Sequence, residues 1–357
     1  MKITKYFTIY FILILTHGLS QSVTIDQNLI PPIPLDGIEE LEHMPLTKYD
    51  NSASDSLYDE FLSNIIFNSN SRDGGGVYTF TTCGQSGRFG PSQSQANATY
   101  SGTNPIVNVA VFNGIQRWEV PATGTYVIEA YGARGGPGAN QASGEPGDGA
   151  YAKGTFQLNS GDMLHILVGQ LGSYTSYSNY YGGGGGGGSF VAQGTTYGNA
   201  TPLIIAGGGG GGGYNSSDYV NGQTGTNGSN GGNATQWNSG GPGIGGSNGM
   251  GATGSTFGGN AGGFYSNGSG NYNYFSEAGV GFRNGGNGGN GQYGGRGGFG
   301  GGAGGYGGAG GGGGYSGGGG GAWHHGGAGG GGGSYNSGSN QTNISGVGTS
   351  HGVVTIS

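Results

Sequence analysis

The sequence predicts a mainly β chain in which a sandwich or barrel of short strands runs into a glycine-dominated half and follows an acidic arm. Three observations carry this. Gly makes up 96 of the 357 residues, where an ordinary domain holds about 7%. Between residues 77 and 206, segments of four to eight residues rich in Val, Ile, Tyr, Phe and Thr alternate with Gly, Pro, Asn and Ser, the pattern of strands joined by turns. Residues 21–73 hold ten acidic residues, two basic ones and a single Gly.

In chain order, residues 1–20 read as a secretory leader. Lys2 and Lys5 precede an apolar run from Tyr6 to Leu15, and Gly18 and Ser20 supply small residues ahead of a cut before Gln21. The run is shorter than the ~20 apolar residues a membrane span needs, and no later segment reaches that length, so no membrane span is expected. Residues 21–76 read as an acidic, mostly disordered arm. One short helix is expected over 56–67, with Ser56 at its start and Leu57, Tyr58, Phe61, Leu62, Ile65 and Ile66 as its apolar face. Residues 77–357 form the expected glycine-rich domain. Its strands are read at 77–82, 106–112, 115–120, 125–131, 151–158, 163–168, 190–193 and 203–206, with 352–356 as a closing strand. Pro121-Ala122-Thr123-Gly124 reads as a hairpin turn between two of them. The β part spans about 77–206 plus 346–357, and the glycine part about 182–335.

Composition excludes several classes. Eleven Pro and unbroken Gly runs do not make a collagen repeat. One Cys does not make a disulfide scaffold. A formal charge of −7 argues against a nucleic-acid partner. The Gly runs 182–188 and 207–213 leave two readings open. Gly is the most costly residue to order, which suits a flexible linker. Three-residue-per-turn helices of the polyproline type could instead pack side by side, exchanging hydrogen bonds between neighbours. Isolated Phe299, Tyr306, Tyr315 and Trp323 would then flank the glycine core.

Beyond composition stands an ordered set of motifs. Tyr78-Thr79-Phe80-Thr81-Thr82-Cys83-Gly84-Gln85-Ser86-Gly87-Arg88-Phe89-Gly90-Pro91 is followed by Gly114-Ile115-Gln116-Arg117-Trp118-Glu119-Val120-Pro121. Tyr126-Val127-Ile128-Glu129-Ala130-Tyr131-Gly132-Ala133-Arg134-Gly135-Gly136 and Met163-Leu164-His165-Ile166-Leu167-Val168-Gly169-Gln170 come next. The two Gly runs follow with Ser189-Phe190-Val191 and Leu203-Ile204-Ile205-Ala206, then Gly298-Phe299-Gly300 and His351-Gly352-Val353-Val354. This order resembles the extracellular glycine-rich domain of the anaplastic lymphoma kinase and leukocyte tyrosine kinase receptors, over about residues 78–356. The resemblance implies a jelly-roll-like β-sandwich with a packed bundle of poly-Gly helices. It also implies a role in binding small protein ligands outside the cell, although the ligand-contacting positions do not match residue by residue and the ligand-binding residues stay unknown. No kinase segment is matched. The family's second Cys near Cys83 is replaced by Ser94-Gln95-Ala96-Asn97, so Cys83 is expected to be unpaired: a buried thiol, or one that bridges to another chain.

No catalytic, cofactor-binding or metal-binding residues are expected. Gly-x-Ser-x-Gly occurs around Ser247, Ser316 and Ser350, as often as chance gives in so Gly-rich a chain, and without the strand–helix frame of a nucleophile elbow. His324-His325 points to opposite faces of an extended chain, with no Cys or carboxylate near in sequence. The carboxylates Glu119, Glu129, Glu145, Asp148, Asp162, Asp218 and Glu277 stand singly, and Glu129 is expected to face solvent or pair with Arg117 or Lys153. Asn97, Asn199, Asn215, Asn227, Asn233, Asn267, Asn340 and Asn343 head N-glycosylation sequons. The 23 Tyr include Tyr174, Tyr177, Tyr180, Tyr181, Tyr214, Tyr219, Tyr265, Tyr272 and Tyr274 in Gly/Asn/Ser loops, a composition suited to protein contact or to shielding a glycine core. The expected function is therefore a secreted, non-enzymatic protein-binding module, and its rival a self-associating matrix or adhesive protein. The partner is an extracellular protein or a second copy of the chain.

Overall fold

The computed structural model describes residues 76–101, 109–139, 144–174, 182–213, 220–233, 241–254, 257–270, 275–292, 295–323 and 327–357. The leader, nearly all of the arm and the helix expected at 56–67 lie outside the described residues.

The described chain is a sandwich of two antiparallel sheets. Its strands are β1 (Tyr78–Phe80), β2 (Ala110–Phe112), β3 (Ile115–Glu119), β4 (Gly124–Tyr131), β5 (Gly149–Leu158), β6 (Met163–Leu167), β7 (Ser189–Gln193), β8 (Thr201–Ala206), β9 (Tyr335–Asn336), β10 (Ser339–Gly348) and β11 (Val353–Ile356). One helix, α1 (Gln93–Tyr100), lies between β1 and β2. The five-stranded sheet has the order β1-β11-β4-β5-β10, and the six-stranded sheet β2-β3-β6-β7-β8-β9.

Alternation decides which side chains meet between the sheets. On β4 and β5, Ile128, Ala130, Ala152, Phe156 and Leu158 are buried, and they join Trp118, Leu164, Ile166, Val191, Ile204, Val354 and Ile356 in the inner core. Their neighbours in sequence face the other way. Tyr131 pairs in register with Tyr151 and Glu129 with Lys153, the two rings lying 4.6 Å apart. The six-stranded sheet is instead buried on both faces. Ile115, Leu167, Phe190, Ala192 and Ile205 form a second core with Phe264, Phe282 and Phe299 of the glycine half. This explains why β6, β7 and β8 read as nearly continuous apolar runs.

The glycine runs are buried, and their amides bond across segments with a period of three. In the run 182–188, Gly182, Gly185 and Gly188 donate to Tyr306, Ala303 and Gly300 carbonyls at 2.8, 2.9 and 3.0 Å; Gly183 and Gly186 donate to Gly212 and Gly209, both at 2.9 Å; Gly184 and Gly187 donate to Ser173 and Gln170 at 3.1 and 2.9 Å. In the run 207–213, Gly208 and Gly211 turn to Gly313 and Gly310, and Gly209 and Gly212 to Ala133 and Gly136. A three-residue repeat in the partners is what three residues per turn would give. A methyl group has no room here: a Cβ on Gly185 would collide with the Gly311 carbonyl oxygen, and one on Gly187 with that of Phe299.

Three local readings are corrected. Residues 121–124 do not turn a hairpin: β3 pairs with β2 and β6, while β4 pairs with β5 and β11. The turn carries the chain from one sheet to the other, and Val120 bonds across to Asp162 and Gly161. The polar segment Ser339–Gly348, given no strand by sequence, is a ten-residue edge strand on β5. Residues 93–100, given no element by sequence, form α1 behind a Ser92/Gln95 capping box.

Candidate functional site

Phe264 stacks on Phe282 at 5.0 Å and Phe282 on Phe190 at 5.1 Å, which roots the glycine half on β7. The next residue, Tyr265, is carried outward. Backbone bonds from Phe264 N–H to the Tyr315 carbonyl, Tyr265 N–H to that of Gly249 and Arg283 N–H to that of Phe264 fix four segments together. The Tyr265 ring lies 6.3 Å from Tyr315, edge-on, and Tyr315 stacks on Tyr335 at 4.7 Å. The Arg283 guanidinium sits 4.7 Å over the Tyr265 ring, held there because its Nε and Nη2 donate to the Ala200 carbonyl at 3.2 and 2.7 Å. Exposed Met250 follows Gly249, whose positive φ of 80° keeps the Tyr265 ring close to the backbone. Burial, then the charge and hydroxyl of neighbouring Tyr265, push the Tyr315 phenol up, so it stays a neutral donor.

This face has the chemistry of a protein contact: Tyr, Arg and Met on a pre-ordered base, giving area at small entropic cost. Of the loop tyrosines singled out by sequence, Tyr265 belongs to it. Tyr174 is exposed elsewhere in the chain, and Tyr177, Tyr180, Tyr181, Tyr214, Tyr219, Tyr272 and Tyr274 lie outside the described residues. Sequence reasoning missed Arg283, Met250 and Tyr335. The matching pairs Phe264-Tyr265 and Phe282-Arg283 were a signal for Arg283 alone; Met250 and Tyr335 left none, and nothing in the pairs says that they meet.

Cys83 is buried and free, at a φ of 53°. Its Sγ lies 3.5 Å from the Tyr100 hydroxyl. That hydroxyl donates to Gln116 Oε1 at 2.5 Å and accepts from Thr81 N–H at 3.1 Å, while Gln116 Nε2 donates to the Thr81 carbonyl at 2.9 Å. Helix α1 thus brings Tyr100 against the thiol, and burial pushes both the thiol and the phenol up.

Asn97, Asn199, Asn227, Asn233, Asn267 and Asn340 are exposed, and Asn343 is half-buried; Asn215 lies outside the described residues. Asn97 accepts from Gln93, Asn199 from Thr196 N–H, Asn267 from Gly281 N–H and Asn343 from Asn336.

Charged groups form structural pairs. Lys153 Nζ lies 3.1 Å from Glu129; Arg134 bridges Glu145 and Asp148 at 2.8 and 2.9 Å; Arg88 reaches Glu277 at 2.6 Å. Burial pushes the Glu129 carboxyl up, but hydrogen bonds from Tyr151 and Lys153, the Lys153 charge and Thr355 outweigh it and hold it low. Arg88 also donates to the Gly288 carbonyl, and Phe299 N–H bonds to Gly87, so the Gly87–Phe89 loop docks on the glycine half. Ser316 is buried and accepts from Gly249 N–H at 3.1 Å. His324 and His325 lie outside the described residues. Among the described residues no three His, Cys, Asp or Glu gather as a metal site, and no helix is long and apolar enough to cross a membrane.

No protein-family model matches the chain. A stretch of 100 residues is 43% identical to the leukocyte tyrosine kinase receptor of Mus musculus, covering 27% of this chain and 11% of the receptor. The chain therefore carries a segment similar to part of that receptor, set in a mainly β, two-sheet fold.

Proposed function

We propose that this chain is a secreted, non-catalytic glycine-rich module that binds an extracellular protein, in the manner implied by its likeness to the anaplastic lymphoma kinase and leukocyte tyrosine kinase receptors. The observation that carries the reading is the 43% identity to the leukocyte tyrosine kinase receptor over 100 residues. The leader at 1–20 sends it out of the cell, the arm at 21–76 precedes the folded part, and residues 77–357 act as one domain. Its glycine segments are three-fold helices of the polyproline type, a reading supported by the period of three in their hydrogen bonds. The bundle serves as a rigid mount, and the Tyr265–Arg283–Tyr315 face is the contact surface. The sequons are glycan acceptors.

The rival reading, a self-associating matrix protein, draws on the long uncharged edge strand β10. Sedimentation velocity of the secreted protein over a wide concentration range separates the two. A concentration-independent monomer or dimer supports the binding module. Open-ended assembly that grows with concentration replaces it with the matrix reading.

A further inference from the structure

Strand β10 poses a problem that the rest of the surface does not. It is ten residues long, pairs with β5 on one side and stands at the edge of its sheet. Ser339 to Thr342, Ile344, Ser345 and Val347 are exposed. An edge of this kind is a template for another strand, and proteins guard such edges with charges, Pro, bulges or covering elements. Charge and Pro are absent: no Asp, Glu, Lys, Arg or Pro occurs from residue 297 to 357. Register shifts fall between Ser339 and Thr342 and between Ile344 and Gly348. They leave the central stretch Thr342–Asn343–Ile344 in regular register with Lys153, Ala152 and Tyr151. That stretch can be extended.

The best-fitting addition is a second copy of the same strand. Two β10 edges related by a two-fold axis run antiparallel, and each meets an uncharged edge, so the net charge of −7 puts no like charges against one another there.

The same strand begins with a sequon, Asn340-Gln341-Thr342. Asn340 is exposed, has a φ of 49° in the irregular first step of the strand, and its amide makes no hydrogen bond to the described residues. Asn199 Nδ2, in contrast, donates to Thr195 Oγ1 at 3.1 Å, a bond that a glycan there would crowd, while Asn97, Asn267 and Asn343 accept through Oδ1. The fold thus leaves Asn340 able to carry a large substituent with no structural bond lost, directly beside the pairing-competent stretch.

We propose that Asn340 carries an N-linked glycan whose function is to guard β10 against pairing with a second copy of the chain. This rests on the secreted reading above, since the donor is a lipid-diphosphate-linked oligosaccharide of the secretory pathway. In the transfer Asn340 Nδ2 bonds to the first sugar's C1, the C1–O bond to the diphosphate breaks, Nδ2 loses one proton and the lipid diphosphate leaves. The attached glycan sweeps the space a second strand would enter. Removal of the glycan turns a monomer into an edge-to-edge dimer.

The full chain secreted from glycosylating cells provides the test. Release of N-glycans by a peptide amidase in ¹⁸O-water marks each occupied Asn as ¹⁸O-labelled Asp, read by peptide mass spectrometry. Asn340 is expected among the labelled positions. Sedimentation velocity then compares the wild type, the folded wild type trimmed by an endoglycosidase that leaves one sugar on each occupied Asn and so adds no charge, Asn340→Gln, and Asn340→Gln with Ile344→Lys. The trimmed wild type and Asn340→Gln should dimerise at least tenfold more tightly than the untreated wild type, and the lysine charge added by Ile344→Lys should reverse this. The enzymatic arm keeps the test valid where Asn340→Gln is poorly secreted. Glycans on other sequons but not on Asn340 overturn this proposal and leave the secreted reading standing. Glycans on none overturn this proposal too, and failure of the chain to leave the cells overturns the secreted reading. An occupied Asn340 whose loss leaves the chain monomeric overturns the guarding function.

Discussion

Replacing Gly185 with Ala tests whether the glycine half is packed or merely compact. A Cβ at this position lands on the Gly311 carbonyl oxygen, which belongs to a backbone and cannot rotate away. Overpacking a buried site costs about 1–3 kcal/mol. For the segments to part, Gly185 must loosen its bonds with the Ala303 carbonyl and the Gly298 N–H, both 2.9 Å long. Each buried group left unsatisfied costs about 1–3 kcal/mol. Against this, Ala restricts the unfolded chain and returns about 0.4–1 kcal/mol. The net expectation is a loss of about 2–9 kcal/mol, or a Tm lower by about 3–15 °C for a domain of this size. Gly225→Ala is the matched control, because its Cβ meets nothing within 4 Å and its Tm should stay level or rise slightly. Thermal unfolding followed by near-ultraviolet circular dichroism reads both. Equal Tm values for the two variants would refute the packed lattice.

Phe282→Ala removes the middle ring of the Phe190–Phe282–Phe264 stack and should cost about 3–5 kcal/mol in urea unfolding. Cys83 should resist a thiol reagent in the native protein and react at once in denaturant, because it is buried with a raised pKa; rapid native labelling would contradict the geometry. Stability should fall as pH rises above about 9. Cys83, Tyr100 and Tyr151 have raised pKa values in the fold, so the folded state keeps protons that the unfolded state releases. Tyr100→Phe should lower the midpoint at pH 7 by removing the partner of Gln116 and Thr81. It should also flatten the alkaline decline, as thermal melts at pH 7.5 and 10 would show.

Strands with a clear apolar alternation were legible in the sequence. The 125–131 and 151–158 segments alternate over a half-solvated sheet and match β4 and β5 nearly to the residue. β10 was not legible, since an edge strand of Ser, Asn, Gln, Thr and Gly buries almost nothing and leaves no periodic signal. The turn at 121–124 has good turn chemistry, but turn chemistry does not say whether the chain returns to its own sheet or crosses to the other. The Glu129–Lys153 pair was within reach because both lie on the outward register of recognisable strands. The Tyr265–Arg283–Tyr335 grouping was out of reach. Its members come from two glycine segments and strand β9, and an unbroken Gly run carries no marker of which segment it lies against.

A lattice joined mainly through its main chain has a further consequence. In a run of seven identical residues whose partners repeat every third residue, sliding by three positions still leaves four of the seven glycines on equivalent partners. Such a slip costs only what happens at the ends. Ordered assembly must therefore depend on the few bulky interruptions, Phe299 under Gly90 and Gly114 and Trp323 over Gly307, which act as stops. Variants that trim these stops should trap slipped, compact and nearly isoenergetic forms during refolding, seen as slow phases and as a native ensemble with several settings of one bundle.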